Sequence, residues 1–117
     1  MIKIFTTAIL SLPLFLTEMS AQQYCIEGRF DTYVFDLSEI EVFQDIQYGE
    51  AINVDGYTEQ LKLDIYKASD ESDELEKKPL IILVHGGSLL GGDKGLPGSV
   101  YLANDFAQKG YVFSAIN

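Results

Sequence analysis

The chain has 117 residues and a net charge of −10, with 18 acidic side chains against 8 basic; it is 47% hydrophobic and 22% charged. That composition excludes a wholly disordered chain, and the length allows one small domain or part of a larger one. The acidic balance repels phosphate backbones, and long basic runs and basic amphipathic helices are absent, so neither nucleic acid nor an anionic membrane surface is expected as a partner.

Residues 1–21 read as a secretory signal peptide: Lys3 lies in a short basic start, 4–16 is mostly apolar, and Ser20 and Ala21 precede a cut after Ala21. The apolar stretch is short for a membrane span, so an exported protein with no integral span is expected; a buried N-terminal helix is the other reading of these residues. Cys25 is the only cysteine. In an exported chain it is either a thiol without its partner or a small apolar residue near the mature N-terminus.

The alternation in 29–37 suggests a short strand, with Tyr33, Phe35 and Leu37 on one side. Val42, Ile46 and Tyr48 repeat with period two up to Gly49, and Asp55-Gly56 is a hairpin signal. In 59–68 the alternation is cleanest: Leu61, Leu63 and Ile65 share one side, Lys62, Asp64 and Tyr66 the other. Residues 42–50 and 59–67 therefore predict an antiparallel hairpin with one face on a core. The charged stretch 69–78 lacks the spacing of a calcium-binding EF-hand and reads as a solvated loop.

Leu80 to Val84 is an unbroken apolar run, the pattern of a parallel strand buried on both faces. A glycine-rich loop, 85–98, follows. Leu102, Ala103, Phe106 and Ala107 then place one apolar stripe on a helix over about 100–109, with Ser99 and Gly110 as candidate caps. The β-forming run 111–116 closes a βαβ unit. The expected architecture is α/β: an antiparallel hairpin leading into a mostly parallel sheet. A single helix leaves such a sheet undercovered, so 22–117 is read as the N-terminal portion of a longer domain.

The glycine loop decides the chemistry. Walker A fails, because Gly92-Asp93 stands where Lys-Ser/Thr is needed, and the dinucleotide fingerprint fails at Ser88. An oxyanion hole fits better. In acyl transfer the carbonyl oxygen becomes negative, and preorganised backbone N–H groups stabilise it. Glycines allow the close approach and the positive φ that such a loop uses.

The stretch "KPLIILVHGGSLLGGDK", followed by a helix and "FAQKGYVFSAIN", resembles the start of a carboxylesterase/lipase-type α/β-hydrolase. In that family an apolar strand ends in His-Gly-Gly-Gly-Phe, and the next strand often ends in Asn-Tyr-Arg. The hairpin "IQYGEA…LKLDIYKA" is similar to the family's first two strands, so the resemblance covers about residues 45–117. It is nearest to exported bacterial esterases with an acidic linker before the third strand. It implies an oxyanion-hole loop at Gly86, Gly87 and Ser88, whose N–H groups come from Gly87 and Ser88. Ser88 stands where the third glycine is usual, and Leu89 where phenylalanine is usual.

The triad order in this fold is Ser, Asp/Glu, His, which sets His85 aside as the base and makes it a structural residue of the loop. Asp93 and Lys94 either pin the loop to neighbouring elements or form a solvated turn. Gly-x-Ser-x-Gly occurs nowhere, and His85 is the only histidine. A complete triad cannot be assembled from these residues, so the chain alone is expected to be inactive. The resemblance implies an exported serine esterase acting on a small-molecule ester, with no metal and no cofactor. The alternative is a non-catalytic exported binding or adhesion module with a hydrolase-like fold.

Overall fold

The computed structural model describes residues 26–87 and 91–117. The expected signal peptide, Cys25, Ser88 and Leu89 lie outside them. Among the described residues, four strands and one helix follow in chain order: β1 (Ile40–Ile52), β2 (Thr58–Ala68), β3 (Leu80–Val84), α1 (Pro97–Gln108) and β4 (Val112–Ile116), with a 3-10 turn at Leu37–Glu39 before β1. The sheet order is β1-β2-β4-β3. β1 and β4 both run antiparallel to β2, whereas β3 and β4 are parallel. The fold is thus a mixed α/β sheet that contains the expected hairpin and the expected parallel β3–α1–β4 unit.

The hairpin closes where Asp-Gly predicts it. Asn53 Oδ1 accepts the N–H groups of Asp55 and Tyr57 at 3.1 and 3.0 Å, and Gly56 takes φ +83°. Two irregularities interrupt the β1–β2 register, between Phe43 and Ile46 and between Gln47 and Gly49. At the first, Asp45 adopts φ +58°. Such bulges bend a strand and re-aim side chains.

Helix α1 begins earlier than its apolar stripe suggests. Pro97 occupies its first turn, where a missing N–H costs nothing, and Leu96 is the N-cap without a side-chain bond. Ser99 is buried within that turn, so it does not cap the helix. The C-terminus ends as the sequence predicts. Gly110, at φ +91°, donates to Ala107 O at 2.9 Å, and Tyr111 N–H donates to Phe106 O at 3.1 Å, a Schellman arrangement.

The core lies between α1 and one face of the sheet. Tyr66, Ala103, Ala107, Phe113 and Ala115 form it, with Ile40, Ile81, Leu83 and Phe106 packed around them. Ala103 and Ala107 are fully buried, so the helix backbone comes close to the strands. The Phe106 and Phe113 rings stack at 6.0 Å.

Two expectations about the sheet faces are corrected. In β2 the residues turned to the helix are Asp64, Tyr66 and Ala68, and the Leu61–Leu63–Ile65 side forms the opposite face. β3 is not buried on both faces: Ile81 and Leu83 pack under α1, but Leu80, Ile82 and Val84 are 57%, 58% and 68% exposed. The single helix covers one side of the sheet, and no element among the described residues covers the other. An unbroken apolar run records the hydrophobicity of both faces, not which face the chain itself covers.

A further correction concerns 29–37, which forms no strand. The segment instead runs along the end of α1. Phe30 donates to Lys109 O, and the Val34 and Phe35 N–H groups both donate to Gln108 O, at 2.9–3.1 Å. These bonds satisfy carbonyls that a helix C-terminus leaves unpaired.

Candidate functional site

The glycine loop leaves the C-terminal end of parallel strand β3, where ligand crevices of open α/β sheets lie. His85 follows Val84 directly, and its Nδ1 is 2.9 Å from Gly86 O. A carbonyl only accepts, so this contact places a proton on Nδ1.

Two glycines are sterically required. Gly87 has φ +142°, and a Cβ on it would lie 1.5 Å from Gly91 O. Gly92 has φ +133°, and a Cβ on it would lie 2.0 Å from His85 Nδ1 and 2.4 Å from Gly86 O. Gly86 is different: among the described residues nothing lies within 4 Å of a Cβ placed there. The two arms of the loop, 85–87 and 91–92, therefore touch through backbone, and only glycine permits that contact.

Beyond these glycines the loop is fastened to the sheet. Lys94 Nζ is 2.7 Å from Asp64 Oδ1 and 3.0 Å from Asp45 Oδ1. Asp64, 2% exposed, also accepts the Asp45 N–H at 2.9 Å. The pair is buried and hydrogen-bonded, the condition under which interior charges are tolerated. The hydrogen bond from Lys94 to Asp64 raises the lysine above its usual range, against the opposing effect of burial, with a further bond to Asp45.

Asn117, just after β4, holds the same stretch by its backbone. Its Oδ1 accepts the Lys94 N–H at 2.6 Å, its Nδ2 lies 3.4 Å from Asp93 Oδ2, and its own N–H donates to Lys62 O at 3.0 Å. Asp93 in turn accepts the Gly95 N–H at 2.6 Å. That bond, followed by the one from Asn117, holds its carboxyl below the usual carboxylate range.

Of the two sequence readings of Asp93 and Lys94, the geometry selects pinning for Lys94. Asp93 remains exposed but organises the turn. Gly86, Gly87 and His85 stand together at the strand end, and Ser88 is outside the described residues. Sequence reasoning missed Asp64, Asp45 and Asn117 as supports of the loop. The available signal was the one aspartate of β2, with a lysine at the end of the glycine loop to match it.

A second cluster lies away from the loop. Arg29 reaches the 2%-exposed side chain of Asp73 at 2.5 Å, and Lys78 approaches it at 3.3 Å. Burial opposes ionisation of Asp73, but bonds from Arg29 and the Leu75 N–H outweigh it and hold the carboxyl below its usual range. A cleft of about 670 Å³ borders this region, lined by Asp73, Leu75, Lys78 and Val112 among others, with no described residue of the glycine loop. Among the described residues no cluster of His, Cys, Asp and Glu could hold a metal ion, and no helix is long and apolar enough to cross a membrane.

The fold and the loop define a mixed α/β sheet with a glycine-built, ion-pair-anchored loop at the carboxyl end of a parallel strand. No protein-family model, curated protein or solved structure matches the chain.

Proposed function

We propose that this chain carries the oxyanion-hole portion of an exported serine hydrolase acting on carboxylic esters, within an α/β-hydrolase fold. The observation that carries the reading is Gly87: a glycine at φ +142°, three residues past the end of the third strand, in a loop held closed by backbone contact. In strand-turn-helix serine hydrolases one oxyanion N–H comes from the loop after that strand.

In this reading an ester carbonyl binds outside the carboxyl ends of β3 and β4. The N–H groups of Gly87 and Ser88 stabilise the negative oxygen that forms on attack, and Gly86 lets the backbone approach. His85 buttresses the loop through its Nδ1 contact with Gly86 O and is not the base. The nucleophile, acid and base come from outside these 117 residues, which hold no Gly-x-Ser-x-Gly and no second histidine. The chain by itself is catalytically silent.

The test is to sequence the DNA past the codon for Asn117 in all frames and to assay the longer product on short-chain p-nitrophenyl esters. A downstream Gly-x-Ser-x-Gly, hydrolysis with an acyl-enzyme burst, and a kcat reduced on the order of 10²-fold by Gly87→Ala are expected. A stop codon with no related coding sequence in any frame, or a longer product without esterase activity, overturns the reading.

A further inference from the structure

The loop's two ends are held in different ways. The first is set by β3, whose Val84 pairs with Ile116 of β4. The second is set chiefly by Lys94, gripped at its side chain by Asp64 and Asp45 and at its backbone N–H by Asn117. Between these two anchors the arms meet through Gly87 and Gly91 and through His85 and Gly92. Asp64 faces the helix side of the sheet yet contributes nothing apolar to the core; its buried carboxylate serves the Lys94 ammonium and the Asp45 N–H. That N–H belongs to the residue at φ +58° in the β1 irregularity, so the bulge itself is part of the grip.

We infer that Lys94 and Asp64 form a positioning pair that fixes the Gly86–Gly87 backbone in its oxyanion-binding geometry, with the Asp45 bulge as the third member. The catalytic meaning of the pair rests on the function proposed above; the ordering of the loop does not. The pair touches no substrate. It acts by keeping the second arm of the loop against the first.

The experiment measures backbone 15N order parameters in the full chain, wild type against Lys94→Met and against the doubly neutral Asp64→Asn/Lys94→Gln. The double variant keeps an acceptor for the Asp45 N–H and leaves no unpaired buried charge, so it decides the matter if the single variant does not fold. In wild type, Gly86, Gly87 and Gly92 are expected near the rigid value of about 0.85, falling below about 0.6 in the variants while Phe113 and Ala115 stay rigid. Loop glycines already mobile in wild type, unchanged in the double variant, or loosening together with Phe113 and Ala115 would each overturn the inference. In the ester-cleaving protein, loss of the pair is expected to lower kcat by about 10²-fold with KM nearly unchanged, as for a misplaced catalytic group. Unchanged kcat also overturns it. Absence of any ester hydrolysis in wild type strikes the proposed function instead, and the order parameters then decide the positioning role by themselves.

Discussion

The imidazole of His85 and the backbone of Gly92 are packed so tightly that a Cβ on Gly92 would sit 2.0 Å from Nδ1. A ring at the end of a strand and a glycine seven positions later thus define one another's place. Gly92→Ala and Gly87→Ala combine this obstruction with a φ that alanine avoids. Each is expected to cost about 1–3 kcal/mol. Gly86→Ala, with no described atom within 4 Å of the added Cβ, should leave stability within about 0.5 kcal/mol. Urea unfolding of the three variants measures the difference, and equal costs would contradict the described loop.

Removing one member of the buried ion pair should hurt far more than removing both. Lys94→Met leaves the Asp64 carboxylate buried with only the Asp45 N–H as partner and is expected to cost about 3–5 kcal/mol. The double variant Asp64→Leu/Lys94→Met should recover most of that loss, which a double-mutant cycle in urea measures.

Acid should act through Asp73. Its folded-state pKa lies below the ordinary carboxylate value. The stability it supplies is therefore fully present above about pH 4, the unfolded value, and is lost as pH falls through the lowered folded value. Asp73→Asn should flatten the stability profile below pH 4, read from unfolding midpoints at a series of pH values. Lys94 has the opposite sign: its raised pKa gives stability present below the ordinary lysine value of about 10.4 and lost only as pH rises through the folded value. The loop anchor should therefore hold throughout the neutral range.

The open face of the sheet should be tolerant where the covered face is not. Ile82→Thr is expected to change stability by about 0.5 kcal/mol or less, since Ile82 is 58% exposed. Leu83→Ala, beneath α1, should cost about 2–5 kcal/mol. ANS fluorescence should be strong in wild type and drop when Leu80 and Ile82 are both replaced by Lys. A dye signal unchanged by that pair of substitutions would mean that the face is covered.

Much of this fold is legible along the chain. The Asp55-Gly56 turn, the period-two run of β2 and the Gly110 stop are local signals, and each sits where local chemistry puts it. The failures are of another kind. Asp64 looks like an outward-facing strand residue because alternation reports only sides, not which of the two the core will cover. The helix lies on the other side, where Ala103 and Ala107 are buried together with Tyr66, Ala68, Phe113 and Ala115. The alternation in 29–37 reads as a strand, yet the carbonyls it meets belong to Gln108 and Lys109, and no local pattern encodes so distant a partner. At the candidate site, the glycine run is legible because backbone geometry demands glycine at Gly87 and Gly92. The supports Asp45 and Asn117 are not, because a carboxylate or an amide becomes a support only once the sheet has brought it to the loop.

The segment that runs along the end of α1 has a consequence for the order of events on a ribosome. Arg29 and Asp73 are 44 positions apart, and Gln108 donates from its side chain to Phe35 O, 73 positions away. Synthesis proceeds from the N-terminus, so the β1–β2 hairpin can pair as soon as Ala68 emerges. The residues just ahead of it must wait until Tyr111 has been made. Throughout that interval Phe30 and Phe35 stand uncovered beside a finished hairpin, within reach of a chaperone or a protease. The segment 29–35, made before the hairpin, reaches its place only after the helix that follows the hairpin has been made.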